Sequence, residues 1–205
     1  GSYEAYLSLF ECIYSDSTKV DSTNIQDLIV LAKKYQIEKL QVLCADFMEG
    51  DVNINNACEM FQIAPDLLGD EEFGMKFLAA NADKIIQTPA FMKLKPNRLK
   101  VFLSSDELQV DEVPLFLAVQ KWAREECKRQ DKSDSSENMR EVLKDCLPHI
   151  RFPTMELAEI ASYVSASGLL DQQDMLKLFT YMSLQDEEKD AMDLPFPSKP
   201  REGGF

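Results

Sequence analysis

One histidine, one tryptophan and seven glycines among 205 residues exclude several kinds of chemistry before any motif is sought. With His149 as the sole imidazole, any Ser-His or Cys-His nucleophilic device must use it, and its neighbours "CLPHIRFP" contain no serine. The glycines form neither of the common phosphate-cradling spacings, so a nucleotide-dependent reaction has no visible seat. No apolar run approaches the roughly 18 residues that a membrane span requires, and a membrane is not an expected partner. Strand signals are missing too, because period-two alternation is nowhere sustained. Basic residues are outnumbered 22 to 36, and the resulting net charge of −14 repels polyanions. Nucleic acid is therefore not expected as a partner.

What is present describes a helical protein with a substantial core. The chain is 45% hydrophobic and 28% charged, enough apolar mass at this length to fold without staples. Five cysteines, Cys12, Cys44, Cys58, Cys127 and Cys146, are odd in number, widely spaced and set among apolar neighbours. They read as reduced core thiols, which points to the cytoplasm or nucleus. Gly1-Ser2 reads as an expression remnant on a piece of a longer chain.

The predicted fold class is all-α. In "YEAYLSLFECIY", Tyr3, Tyr6, Leu7, Phe10, Ile13 and Tyr14 make one stripe and Ala5, Leu9 and Cys12 another, so this helix requires burial on two sides. A second helix presents Ile25, Leu28, Ile29 and Ala32, with Ser22 or Thr23 as its cap. A third presents Leu40, Leu43, Cys44 and Phe47 and closes at Gly50. Asn53 caps the next, with Val52 as staple, Ile54, Ala57, Cys58 and Phe61 inward, and Pro65 ending or kinking it. Asp70 caps a helix with Met75, Leu78, Ala82 and Ile85 on one face; Thr88-Pro89 and Pro96 start two more.

Asp111 caps the longest helix, where Leu115, Val119 and Trp122 line one side. "DKSDSSEN", residues 131–138, lacks apolar residues and reads as a mobile loop, either simply solvated or a phosphorylation switch. Helices resume in "MREVLKDCL", "PTMELAEIASYV" and "DQQDMLKLFTYM". From Ser183 onward periodicity is lost and prolines gather, as in a linker.

The remaining chemical candidates are thin. Cys146-x-x-His149 supplies two zinc ligands where a closed site needs four. Adjacent acids such as Asp106/Glu107, Glu71/Glu72 and Asp186/Glu187/Glu188 read as solvated caps and faces. Trp122 stands at core spacing, against a reading as ligand platform. Cys127, near Lys128 and Arg129 at a helix end, is open to a lowered pKa. No catalytic residue, cofactor site or metal site is assigned.

The order of motifs is more informative. "LIVLAKKYQIEKLQVLCADFM", "NACEMFQIA", "FMKLKPNRLKVFLSSDELQVDEVPLFLAVQKWA" and "LPHIRFPTMELAEIASYVSASGLL" resemble the BTB-BACK adaptor proteins over about residues 3–183. Details in "WAREEC" and "IRFPTMELAEIA" look most like the branch carrying a PHR domain, a kelch-bearing relative being the alternative. The resemblance implies the helical C-terminal part of a BTB domain over 3–49, a 3-box helix pair over 50–69, a BACK domain of antiparallel helix pairs over 70–183, and a linker over 184–205. It implies a non-enzymatic substrate adaptor of a cullin-3 RING ubiquitin ligase acting in protein ubiquitination. The substrate protein would be held by a domain outside this segment, and the full-length protein would be a homodimer.

The alternative is a BTB-BACK scaffold or transcription cofactor that recruits no ligase. By the same resemblance the 3-box forms a groove for the N-terminal segment of cullin-3, and Ile54, Met60, Phe61, Ile63 and Leu67 are the candidates to line it. Ile54 and Phe61 also belong to the inward stripe, so core and groove compete for them.

Overall fold

Asp21 organises the first turn after the opening helix. Its carboxylate accepts from the backbone amides of Thr23 and Asn24 and from the Thr23 hydroxyl, while its own amide donates to Asn24 Oδ1 at 2.9 Å. This aspartate, rather than the expected Thr23, closes the helix start; Ser22, the other expected cap, lies outside the described residues. In this computed structural model, residues 3–15, 17–21, 23–68, 72–189 and 192–203 are described. They contain helices and turns, and no strand among them, as the missing alternation predicts.

The chain divides into two compact units, Gly1–Phe77 and Leu78–Phe205. In the first, α1 (Tyr3–Ser15), α2 (Ile25–Lys34) and α3 (Glu38–Asp51) pack on one another. Leu28, Ile29, Ala32, Leu40 and Cys44 are sealed from solvent at the centre, with Ala5, Leu9 and Cys12 of α1 against them. The turn between α2 and α3 is made by Gln36 in the left-handed region at φ 54°, which lets Ile37 N–H donate to Ala32 O at 2.9 Å. Gly50 does not close α3, which runs through it to Asp51.

Residues 53–56 form a turn in which Asn53 Oδ1 accepts from Asn55 N–H and Asn56 Oδ1 from Asn53 N–H. It leads into α4 (Ala57–Leu68), so the 50–69 stretch holds the end of α3 and one further helix instead of a pair of its own. Pro65 does not end α4. Fully buried Phe61 and Ala64 hold that turn in place despite the backbone bond that proline removes. Asp70, the expected cap of the following helix, lies outside the described residues.

That helix is split at Asn81 into α5 (Met75–Ala80) and α6 (Ala82–Ile85). Thr88 Oγ1 accepts from Phe91 N–H at 3.1 Å, so the predicted Thr-Pro start opens a short 3-10 turn, Phe91–Lys93. Pro96 occupies the first turn of α7 (Pro96–Ser104). The second unit is built around α8 (Glu112–Arg129), which buries Leu115, Phe116, Val119, Trp122 and Ala123.

The stretch expected to be a mobile loop is a short, bonded connection. Asp131, at φ 54°, ends α8, Lys132 N–H donates to Cys127 O, and Ser135 caps α9 (Ser136–Leu143) through Asn138 N–H. Glycine suits position 168: its φ is +65°, and a Cβ there would stand 2.8 Å from Ser136 Oγ, so any other side chain would be strained and would displace that hydroxyl. It follows α10 (Leu157–Glu159), which passes directly into a π-helical turn, Ile160–Ser165. Asp171 caps α11 (Gln172–Ser183) by accepting from Asp174 N–H at 2.8 Å.

Beyond α11 lies one more turn, α12 (Asp186–Lys189), where no periodicity is expected, and then an irregular tail. The tail is anchored, unlike a free linker. Phe196 is buried with its ring 4.8 Å from Phe152, which packs edge-on to Phe116 in turn.

Candidate interaction surfaces

Helix α4 places the residues expected to line a groove on two different sides. Phe61 is fully buried, held in the core by its position between Ala57 and Ala64, and has no surface to offer a partner. Met60 and Ile63 pack against the first unit's core with part of each side chain left open. Ile54, in the turn before the helix, is also half-buried. Leu67 lies on α4, but its side chain is outside the described residues. Met60, Ile63 and Ile54 are thus the expected residues that retain accessible apolar surface.

A larger apolar surface lies on α1. The stripe of Ala5, Leu9 and Cys12 is inward, and the second stripe is not: Tyr3, Leu7, Phe10, Ile13 and Tyr14 are all exposed, with Tyr14 at 87%. Their spacing of three and four residues makes a continuous ridge, the kind of face that packs against another element. Val30, Tyr35 and Val42 add exposed apolar area on α2 and α3 and the turn between them.

The chemical candidates fall away on geometry. Cys146 is buried, its thiol faces Pro96 O at 3.8 Å, and burial pushes its pKa up to about 12. Burial, with Lys100 and Arg201 nearby, pushes His149 below its ordinary value. Desolvation therefore opposes both the thiolate and the imidazolium. Cys127 is buried as well, and burial raises its pKa where a lowered one was open. Trp122 is core: its indole N–H donates to Leu94 O at 3.0 Å and the Arg129 guanidinium lies over its ring. In the 131–138 stretch, Ser135 is engaged as a cap and Ser136 Oγ donates to Ser167 O. Among the described residues, no group of three or more His, Cys, Asp or Glu is arranged to hold a metal.

Sequence reasoning missed a buried charge cluster where the tail meets α8. Arg201 Nε donates to Glu112 Oε1 at 2.6 Å, and its Nη atoms donate to the carbonyls of Leu103, Ser105 and His149. Burial lowers the Arg201 pKa from its ordinary value, and the Glu112 carboxylate opposes that shift. Arg151 donates to Asp106 and to Lys199 O, so Asp106 is an ion-pair partner and not merely a solvated acid. Glu202 N–H donates to Asp106 O at 2.9 Å. At Gly203 a Cβ would meet Glu107 O at 2.4 Å, so the tail lies against this loop as closely as glycine allows.

Comparison with known proteins places a boundary before α4, where the compact units divide after it. The family model BACK, "BTB And C-terminal Kelch", matches residues 57–165, and the BTB/POZ domain model matches residues 1–51. BTB/POZ domain-containing protein 6-B of Danio rerio is 28% identical over 202 residues, covering 97% of this chain and 41% of that protein. BTB/POZ domain-containing protein 3 of Mus musculus is 29% identical over 204 residues, covering 97% and 37%. BTB/POZ domain-containing protein 6 of Homo sapiens is 27% identical over 202 residues, with the same two coverages. The chain spans about two fifths of the length of these relatives.

Proposed function

The chain belongs to the BTB-BACK family, and from that premise we propose that it is part of a non-enzymatic substrate adaptor of a cullin-3 RING ubiquitin ligase, working in the cytoplasm or nucleus. Its family supports a protein-interaction role, and its chemistry would be one of positioning. The first unit, α4 included, would hold cullin-3, the second would act as a helical spacer, and a further domain of a homodimeric full-length protein would hold the substrate.

The observation that carries this reading is the pair Met60 and Ile63. Both sit on the helix directly after the BTB-type region, seated on its core yet partly open. Apolar side chains that are anchored by packing and still accessible are preorganised contacts, which cost little entropy on binding.

Titration of the full-length protein with the N-terminal domain of cullin-3 tests the proposal. We expect a complex, and a loss of affinity of at least about tenfold in Met60→Glu/Ile63→Glu. No complex, under conditions where a known adaptor binds, would overturn it. That outcome would favour the second reading, a BTB-BACK scaffold or transcription cofactor whose acidic surface, at net charge −14, meets a basic partner.

A further inference from the structure

The tail meets the second unit as a peptide meets its receptor. No helix forms in residues 192–203. Pro195, Pro197, Ser198, Lys199 and Pro200 are exposed, while Phe196 and Arg201 are buried among them. The prolines hold the stretch extended, a conformation that needs no hydrogen bonds of its own. Its backbone is held at Lys199 O by Arg151 and at Glu202 N–H by Asp106 O. A strap of this kind is seized by two side-chain anchors and does not merge into the core.

The groups that receive the anchors run from Leu103 to Phe152, inside the residues that match the BACK model, whereas the tail lies outside them. They are arranged by that scaffold. Glu112 Oε2 accepts from Arg151 N–H at 3.2 Å, which fixes the carboxylate and leaves Oε1 for the guanidinium. Asp111, at the N-cap position just before it, caps no amide, contrary to the sequence expectation. Leu103 O and Ser105 O stand at the end of α7, where a helix leaves its last carbonyls without amide partners. With His149 O they make a cage of acceptors only. A guanidinium, with five donors on a flat fork, suits such a cage, and an ammonium with three donors on one point does not. The aromatic anchor is received in the same way: Phe116 and Phe152 pack edge-on at 5.6 Å, and Phe196 extends that arrangement from Phe152.

We propose that the tail is an exchangeable peptide ligand of this site, and that the same segment of a second copy of the chain occupies it in trans through its own Phe196 and Arg201. The contacts are the same in cis and in trans, so exchange alters only how the ligand is tethered. The tether gives the resident tail an effective concentration of about a millimolar, which keeps a second copy out of the intact chain when the protein is dilute. Cutting the tether removes that advantage. The site lies within the second unit and is independent of any cullin contact made through the first.

The test cuts the tether only after the chain has folded. A site-specific protease sequence placed at Glu187-Glu188, both exposed, allows the folded 205-residue chain to be cleaved ahead of the tail. In an anisotropy titration, a fluorescent peptide of residues 192–203 is expected to bind the cleaved chain at least about tenfold more tightly than the uncut chain. Arg201→Lys or Phe196→Ala in the peptide should each lower that affinity at least about tenfold. An uncut second copy carrying Glu112→Gln, whose tail is loosened from its own site, should displace the peptide at least about tenfold better than uncut wild type does. Circular dichroism melting checks that this variant keeps its fold. A cleaved chain that takes up no peptide, uptake indifferent to Arg201→Lys, or a folded Glu112→Gln chain that displaces no better than wild type overturns the proposal.

Discussion

Arg201 and Glu112 stand 89 positions apart in the chain and meet at 2.6 Å, with 2% and 8% of their side chains exposed. A tail rich in proline is thereby tied to the first turn of the longest helix. Removing one member of such a pair strands the other charge away from water, which costs more than the pair itself contributes. Arg201→Met is expected to destabilise the second unit by about 3–5 kcal/mol in urea unfolding followed by circular dichroism. Adding Glu112→Gln should return at least about 1 kcal/mol, because the amide no longer leaves a bare carboxylate and still accepts from Arg151 N–H. A double variant as unstable as the single one, or a single variant with wild-type stability, would show the contact to be incidental.

The pH dependence follows from the chain's only imidazole. His149 is held below its ordinary value of 6.5 by burial and by the charges of Lys100 and Arg201. Between its folded value and 6.5, the unfolded chain therefore binds more protons than the folded one. Stability is expected to fall as pH falls below 6.5 through that window. Urea midpoints measured down to about pH 5 should decline in the wild type and stay flat in His149→Gln. Parallel curves for the two proteins would remove the imidazole as the cause.

The ridge on α1 gives a third test. Tyr3, Leu7, Phe10, Ile13 and Tyr14 are exposed together, and a face of that kind draws either a second copy or an apolar dye. Light scattering of this chain is expected to show association, or else strong binding of an apolar dye. Leu7→Glu/Phe10→Glu should reduce both while changing stability by no more than about 0.5 kcal/mol, as exposed positions usually do. A clean monomer that binds no dye would contradict the expectation.

Where the sequence was legible, periodicity made it so. The inward faces of α2 and α8 follow directly from i, i+3, i+4 spacing, and the two stripes of α1 were separable because α1 is amphipathic twice over. Boundaries read less well. Gly50 and Pro65 are conventional stop signals, but each lies inside a helix, and around Pro65 the buried Phe61 and Ala64 let packing outweigh local preference.

The expected groove residues divided for a related reason: one stripe cannot say which of its members a neighbouring helix will cover. Arg151 and Arg201 were missed because nothing local announces a pairing across 45 or 89 residues. The available signal was an arginine fixed among prolines in the tail, opposite a segment with Asp106 and Glu112.

The placement of the single indole has a practical consequence. Trp122 belongs to the Leu78–Phe205 half, sealed from water and overlain by a guanidinium, while the Gly1–Phe77 half contains no tryptophan at all. Intrinsic emission excited at the red edge will therefore report the melting of one half and be blind to the other. Any mismatch between that optical signal and total ellipticity will measure how far the two halves come apart independently.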